Sequence, residues 1–404
     1  MIDKGIDFSQ IIFLLGTVIV INIFVKAVAR RFNLPSLVGY ILIGLLLGIL
    51  DTRFYLLTQT DREIFTFLAE VGVVTLLFRI GLESNVHHLA GQLKRASLLW
   101  GINVILCGVL GYVFSHHSFG VPLIPSLFIG VALTATSVGI SVGIWKEADL
   151  LRTKAGELLV DVAELDDISS IVLMTLLFAV LPYLQAGQNS VLLIKLSRET
   201  GIILAKLAGF GLMCALSAWL IERYVMGFFR RIESLSELML MVAGVGFVVA
   251  ALAGMLGFSI AIGAFFAGLI FSRDEDAVKI DASYNTLDEL FSPFFFVGIG
   301  LSLDPALLTK SVSLGLLLIV VGAVGKIVGV AVPARLSMPW PGALLLGVSM
   351  VPRAEIALII MQRGRAFGDA VVPAPVFNAM VMVTAVTCLL SPFAVRGLLK
   401  KCPP

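Results

Sequence analysis

The sequence predicts an all-α polytopic membrane protein of about thirteen transmembrane helices. Three observations carry that expectation. The chain is 59% hydrophobic and 14% charged, where soluble domains carry about 25% charged residues. Its mean hydropathy is +1.03. Apolar stretches close to the roughly 20 residues that cross a hydrocarbon core recur along the whole length. The balance of 29 basic and 27 acidic residues gives no electrostatic reason to expect a nucleic-acid partner, and the lipid bilayer is the expected surrounding.

Taken in order, the candidate spans lie near 9–28, 36–50, 64–82, 97–115, 122–143, 156–180, 199–221, 236–255, 257–272, 287–303, 312–334, 340–361 and 374–395. The first mimics a secretory leader, with Ala27-Val28-Ala29 as a cleavage site, yet its N-flank holds Asp3 and Asp7 and Arg30-Arg31 follow it. It is read as a retained helix. The loops after odd-numbered spans, with the C-terminus, hold roughly twice the Lys and Arg of the remaining loops, which places the N-terminus outside and the C-terminus in the cytoplasm. Cys107, Cys214 and Cys388 lie in apolar spans and Cys402 in the tail, without metal-ligand spacing, so they read as packing residues.

An internal repeat is present. Gly39-Tyr-Ile-Leu-Ile-Gly44-Leu45 in the second span echoes Gly263-Ala-Phe-Phe-Ala-Gly268-Leu269 in the ninth, and Ile80-Gly81-Leu82 echoes Ile299-Gly300-Leu301. Both matches share an offset of seven spans. An odd offset makes the copies run in opposite directions, giving two inverted five-helix repeats with a site expected near the midplane. The fifth and twelfth spans are then equivalent, and both look interrupted. One carries Thr134-Ala-Thr136-Ser137-Val-Gly139; the other carries Ser349-Met-Val-Pro352-Arg353-Ala-Glu355, where Pro352 removes a helix donor. Broken helices at membrane depth line protein or a wet cavity, so the two are expected to cross. Arg353 and Glu355 would balance the opposed half-helix dipoles.

The sixth span holds adjacent carboxylates, Asp166 and Asp167, followed by a charge-free run over Ile168–Leu181. One Asp at a helix centre costs about 2.5–3.5 kcal/mol on insertion scales. The pair therefore points to a bound cation, a carried proton, or both. Lys326, central in Gly322-Ala-Val-Gly-Lys326-Ile-Val-Gly329, needs a partner at that depth, and Asp166 or Asp167 is the obvious one. Glu157, Asp161, Glu164 and Asp167 fall on one helix face and descend about 15 Å, which reads as a cytoplasmic cation funnel. Glu70 and Arg79 stand too far apart on one helix to pair with each other, and read as structural.

At these residues the chain resembles the second family of monovalent cation:proton antiporters, which includes bacterial electrogenic sodium/proton antiporters and the membrane part of glutathione-gated potassium efflux systems. The resemblance rests on Leu68-Ala-Glu70-Val-Gly72 leading to Leu77-Phe-Arg-Ile-Gly-Leu-Glu83, on Thr134–Ser137, Asp166-Asp167, Gly325-Lys326 and Pro352-Arg353-Ala-Glu355. It implies a homodimer with a dimerisation part (mainly 1–50 and 199–272) and a mobile core (mainly 64–180 and 287–396) that moves like an elevator. Asp167 matches the essential ion-binding carboxylate, Asp166 its neighbour, and Lys326 that neighbour's ion-pair partner. Thr136 and Ser137 match residues that line the site. Two positions depart from the family's pattern: Glu164 replaces an apolar residue, and Arg79 interrupts an apolar run.

The function so implied is exchange of Na+ or Li+ for H+ across a bacterial inner membrane, electrogenic, serving pH and sodium homeostasis, with Na+ at Asp167. No cofactor beyond the transported Na+ and H+ is expected, and no enzymatic step. K+/H+ exchange is the nearest alternative; a sodium-coupled organic-anion symporter or an ion channel stands further off. The sequence carries no soluble regulatory domain after the last span, which favours the sodium antiporters over the gated potassium systems.

Overall fold

The computed structural model describes residues 8–32, 35–83, 86–137, 141–142, 144–145, 148–151, 153–186, 201–202, 205, 209, 211–213, 216, 235–255, 260–272 and 277–401. Nearly all of them are helical, and no strand occurs among the described residues. In chain order the helices are α1 (Phe8–Phe32), α2 (Ser36–Phe54), α3 (Gln59–Glu83), α4 (Val86–Val113), α5 (Leu123–Thr134), α6 (Lys154–Gln185), α7 (Leu235–Met255), α8 (Ile260–Phe271), α9 (Ala277–Leu301), α10 (Leu308–Ala334), α11 (Trp340–Ser349), α12 (Glu355–Ala366) and α13 (Ala374–Lys401). Prolines set several starts: Pro35, Pro122 and Pro339 are the N-cap residues of α2, α5 and α11. A proline there loses no helix hydrogen bond, because the first N–H groups have no intrahelical acceptor.

These elements track the apolar spans, with differences that hydropathy explains. Among the described residues, six helices are long and apolar enough to cross a membrane by length and composition, and α5, α8 and α11 are among the shorter apolar ones. The span expected at 287–303 belongs to a helix that begins at Ala277, and the one expected at 97–115 to a helix that begins at Val86. Their first turns are polar, so a hydropathy ruler passes over them. The spans at 122–143 and 340–361 are each interrupted, as expected. Most of the span at 199–221 lies outside the described residues.

The chain divides into two compact units, residues 1–87 with 205–302 and residues 88–204 with 303–404. Sequence reasoning grouped 64–82 and 287–303 with the aspartate pair. α3 and α9 pack on each other within the first unit.

In that first unit α3 packs against α8 and α9, and α9 also against α2. Two backbone-close crossings hold these helices together. A Cβ on Gly44 would strike the carbonyl of Val297, and one on Gly300 the carbonyl of Ile41. A Cβ on Gly81 would strike the carbonyl of Phe265, and one on Gly268 the carbonyl of Phe78. The sequence repeat equates Gly44 with Gly268 and Gly81 with Gly300. The two crossings are therefore equivalent contacts, each joining a helix of one copy to a helix of the other. Small residues that let backbones meet are the usual means of helix association in lipid. Arg79 has its partners here as well: its Nε lies 2.8 Å from Glu83 and its Nη1 3.1 Å from Asp288.

In the second unit α10 packs against α11 and α13, while α12 packs against α5 and α13. Trp145, Leu159, Val162, Leu346 and Met350 are buried together in one apolar cluster. Phe128 on α5 and Phe178 on α6 meet with ring centroids 5.6 Å apart and planes tilted by 59°. This unit holds the aspartate pair, both interrupted spans and Lys326.

Candidate functional site

The site is built around two helix breaks. α5 stops at Thr134 and the chain runs extended from Ala135, with ψ of 149°. α11 stops at Ser349, and residues 350–354 are not helical before α12 opens at Glu355. The two interruptions meet, because the Ser137 N–H donates to the Pro352 carbonyl at 2.8 Å. Backbone groups freed by a break cost several kcal/mol each in hydrocarbon unless they find partners. Here they find side chains. Ser141 Oγ donates to the Ser349 carbonyl at 2.6 Å, the Arg353 N–H donates to Thr387 Oγ1 at 3.3 Å, and Cys388 Sγ donates to the Arg353 carbonyl at 3.0 Å. Trp145 Nε1 adds a bond of 2.9 Å to Ser349 Oγ.

Charge is distributed to suit these half-helices. The guanidinium of Arg353, fully buried, donates to the Leu133 carbonyl from Nε (3.3 Å) and Nη2 (3.2 Å), to the Gly322 carbonyl (2.9 Å) and to the Val351 carbonyl (2.7 Å). Lys326 Nζ donates to the Thr134 carbonyl at 2.6 Å. Two cations thus face the last carbonyls of α5, the negative end of its dipole. Glu355 is the first residue of α12, at the positive end, and its Oε2 accepts from Ser137 Oγ at 3.1 Å.

Asp166 and Asp167 sit at the middle of α6, and successive helix positions point about 100° apart. Asp166 is fully buried and fully partnered. Its Oδ2 lies 2.6 Å from Lys326 Nζ and accepts from Thr136 Oγ1 at 2.7 Å. The amide of Asn103 donates to Oδ1 at 2.9 Å and to Oδ2 at 2.8 Å. Asp167 differs in every respect. Its Oδ1 is sealed from solvent and has no hydrogen-bond partner. The carboxylates of Asp166, Glu355 and Glu164 are among the charged groups around it, as is the ammonium of Lys326. That ammonium is already held by Asp166. A buried carboxylate oxygen without a donor is costly, so this position invites a proton or a cation.

The structure brings Asp166, Asp167, Thr136, Ser137, Lys326, Arg353 and Glu355 into one cluster. Thr136 serves Asp166, and Ser137 serves Glu355. Along the expected funnel, Glu157 is exposed, Asp161 is buried and Glu164 is partly buried, so exposure does not fall steadily toward Asp167. Sequence reasoning passed over Asn103, although a lone amide in the apolar stretch 97–115 is itself a signal. The cysteines read as packing residues do more than fill space: Cys388 bonds the broken segment, and Cys107 Sγ donates to Asn103 Oδ1 at 3.6 Å.

A model of the transmembrane sodium/hydrogen exchanger family matches residues 18–401. The chain belongs to the sodium/hydrogen exchanger family. Among its relatives is a Na(+)/H(+) antiporter of Enterococcus hirae, 31% identical over 383 residues, which cover 93% of this chain and 94% of that protein. The Na(+)/H(+)-K(+) antiporter GerN of Bacillus cereus is 27% identical, with 90% of this chain and 89% of that protein aligned. The fold matches that of the sodium proton antiporter MjNhaP1 from Methanocaldococcus jannaschii, with a TM-score of 0.72 over 98% of this chain and 99% of that one, at 17% identity. Membership gives the exchanger site above a multi-pass membrane setting.

Proposed function

We propose that this exchanger is a secondary active antiporter, not an enzyme, that moves Na+ or Li+ in exchange for H+. The observation that carries this reading is the contrast within the aspartate pair. Asp166 is locked by an ion pair and three further hydrogen bonds, while the adjacent Asp167 presents an unpartnered buried oxygen to a carboxylate-rich pocket. A carboxylate shielded from water holds a proton until a cation displaces it. One site that accepts either species, and never both, couples their movements. Ser137 and Glu355 stand on the same side of the cluster and supply further oxygen atoms for a hard cation.

The same reading takes Lys326 as a second charge that changes partner during the cycle, which makes transport electrogenic. It takes the unit bearing the site as the part that moves, elevator-like, in a homodimer seated in a bacterial inner membrane with the C-terminus in the cytoplasm. In this cycle Glu157, Asp161 and Glu164 draw cations to Asp167. No cofactor enters beyond the transported ions. K+/H+ exchange is kept as a second reading because GerN, a relative along most of its length, is named for both sodium and potassium. Reconstitution into vesicles with an entrapped pH dye tests both. Sodium or lithium is expected to drive proton movement and potassium to do so weakly; a response to potassium alone would overturn the sodium reading.

A further inference from the structure

Asn103 is fully buried on α4 and its amide nitrogen touches both oxygens of Asp166. The approach is built in from two helices. A Cβ on Gly329 of α10 would lie 2.9 Å from the Cα of Asn103, and one on Gly325 would lie 3.0 Å from Cys107 Sγ. Real Cβ atoms essentially never come as close as the first contact and seldom as close as the second, so the two glycines flanking Lys326 are what lets α4 come this close. Cys107, one turn along α4, donates to Asn103 Oδ1 and thereby turns the amide's nitrogen, the donor end, toward the carboxylate. A carboxylate accepts only, so the orientation is set by chemistry as well.

We propose that Asn103 is a positioning residue for ion exchange: it fixes the plane of the Asp166 carboxylate independently of Lys326. Lys326 and Thr136 both bind Oδ2, whereas Asn103 bridges Oδ1 and Oδ2. When Lys326 withdraws, the amide keeps Asp166 from swinging toward the pocket of Asp167, where it would compete for the incoming cation. This rests on the antiport reading above for its consequence, but not for its geometry.

The test is a swap. Asn103→Asp preserves volume and replaces a donor by an acceptor, so two carboxylates face each other. It is expected to lower sodium-driven proton flux in proteoliposomes by about tenfold or more, the worth of one hydrogen bond to a charged group. Asp166→Asn is expected to lose flux as well. Combining the two restores a donor–acceptor pair with its roles reversed and the cluster's total charge unchanged. The double variant is expected to exceed either single variant in flux by threefold or more, and to recover melting temperature in detergent. A merely packed Asn103 predicts Asn103→Asp near wild type, or a double variant no better than the worse single one, and either result overturns the proposal. Should Asn103→Asp fail to fold, Asn103→Gln is expected to retain more flux than Asn103→Leu; equal losses would overturn it. If the unaltered protein moves no protons with sodium, lithium or potassium, the antiport reading fails, and the melting temperatures of the swap still decide the role of Asn103.

Discussion

The two compact units place their polar groups in opposite positions. In the first, helices meet through glycine, and each described ion pair keeps at least one partner partly exposed: Arg79 with Glu83 and Asp288, Lys26 with Glu289, Arg62 with Asp51. In the second, the Lys326 ammonium and the Asp166 carboxylate lie fully buried at mid-helix, and the Arg353 guanidinium fully buried in a helix break. The repeat does not divide along this line, because each copy gives helices to both units. Burying charge at that depth destabilises a fold, and it persists only where partners or function hold it. The first unit keeps its charges where water reaches them. The second holds them inside through specific partners.

Substitutions in each unit break this contrast in predictable ways. The largest effect is expected at Asp167→Asn, which removes the titrating carboxylate. Sodium-driven proton flux should fall to background while the purified protein melts no lower than wild type, since an unpartnered buried acid is gone. Next comes Lys326→Ala, which leaves Asp166 buried without its counter-charge and should cost about 3–5 kcal/mol of stability. Thermal melts in detergent would show it, with Lys326→Ala combined with Asp166→Asn melting higher than Lys326→Ala alone. A smaller loss, about 1–3 kcal/mol by the usual cost of overpacking, is expected for Gly300→Ala in the first unit. Its apparent sodium affinity should stay unchanged, because that crossing touches no site residue. The smallest effect is expected for Arg79→Ala. The pair is partly exposed and worth under about 1 kcal/mol, so melts and flux should both stay close to wild type.

Much of this was legible before any coordinates. Hydropathy found the membrane helices because about 20 apolar residues are a physical necessity of crossing, and the Ile-Gly-Leu echo found the repeat because glycine cannot be replaced where backbones touch. The aspartates and Lys326 stood out because charge in an apolar run is expensive. What escaped was set by tertiary placement. Polar first turns, as at Ala277, carry no hydropathy signal. The grouping of α3 and α9 with the first unit depends on which helices pack, and periodicity says nothing about that. Asn103 looked like one amide in an apolar helix, and only the glycines at 325 and 329 on a distant helix show what it faces. Of the two partners of Arg79, Glu83 stood one turn along α3, but Asp288 lay on α9 and was invisible from within α3.

The central claim is that Asp167, and not Asp166, is shared by the ion and the proton. Counting protons released when sodium is added to the purified protein in weakly buffered detergent tests it most directly. The unaltered protein is expected to release protons in step with sodium binding, and Asp167→Asn to bind no sodium and release none. Sodium-linked proton release that survives in Asp167→Asn would contradict the account.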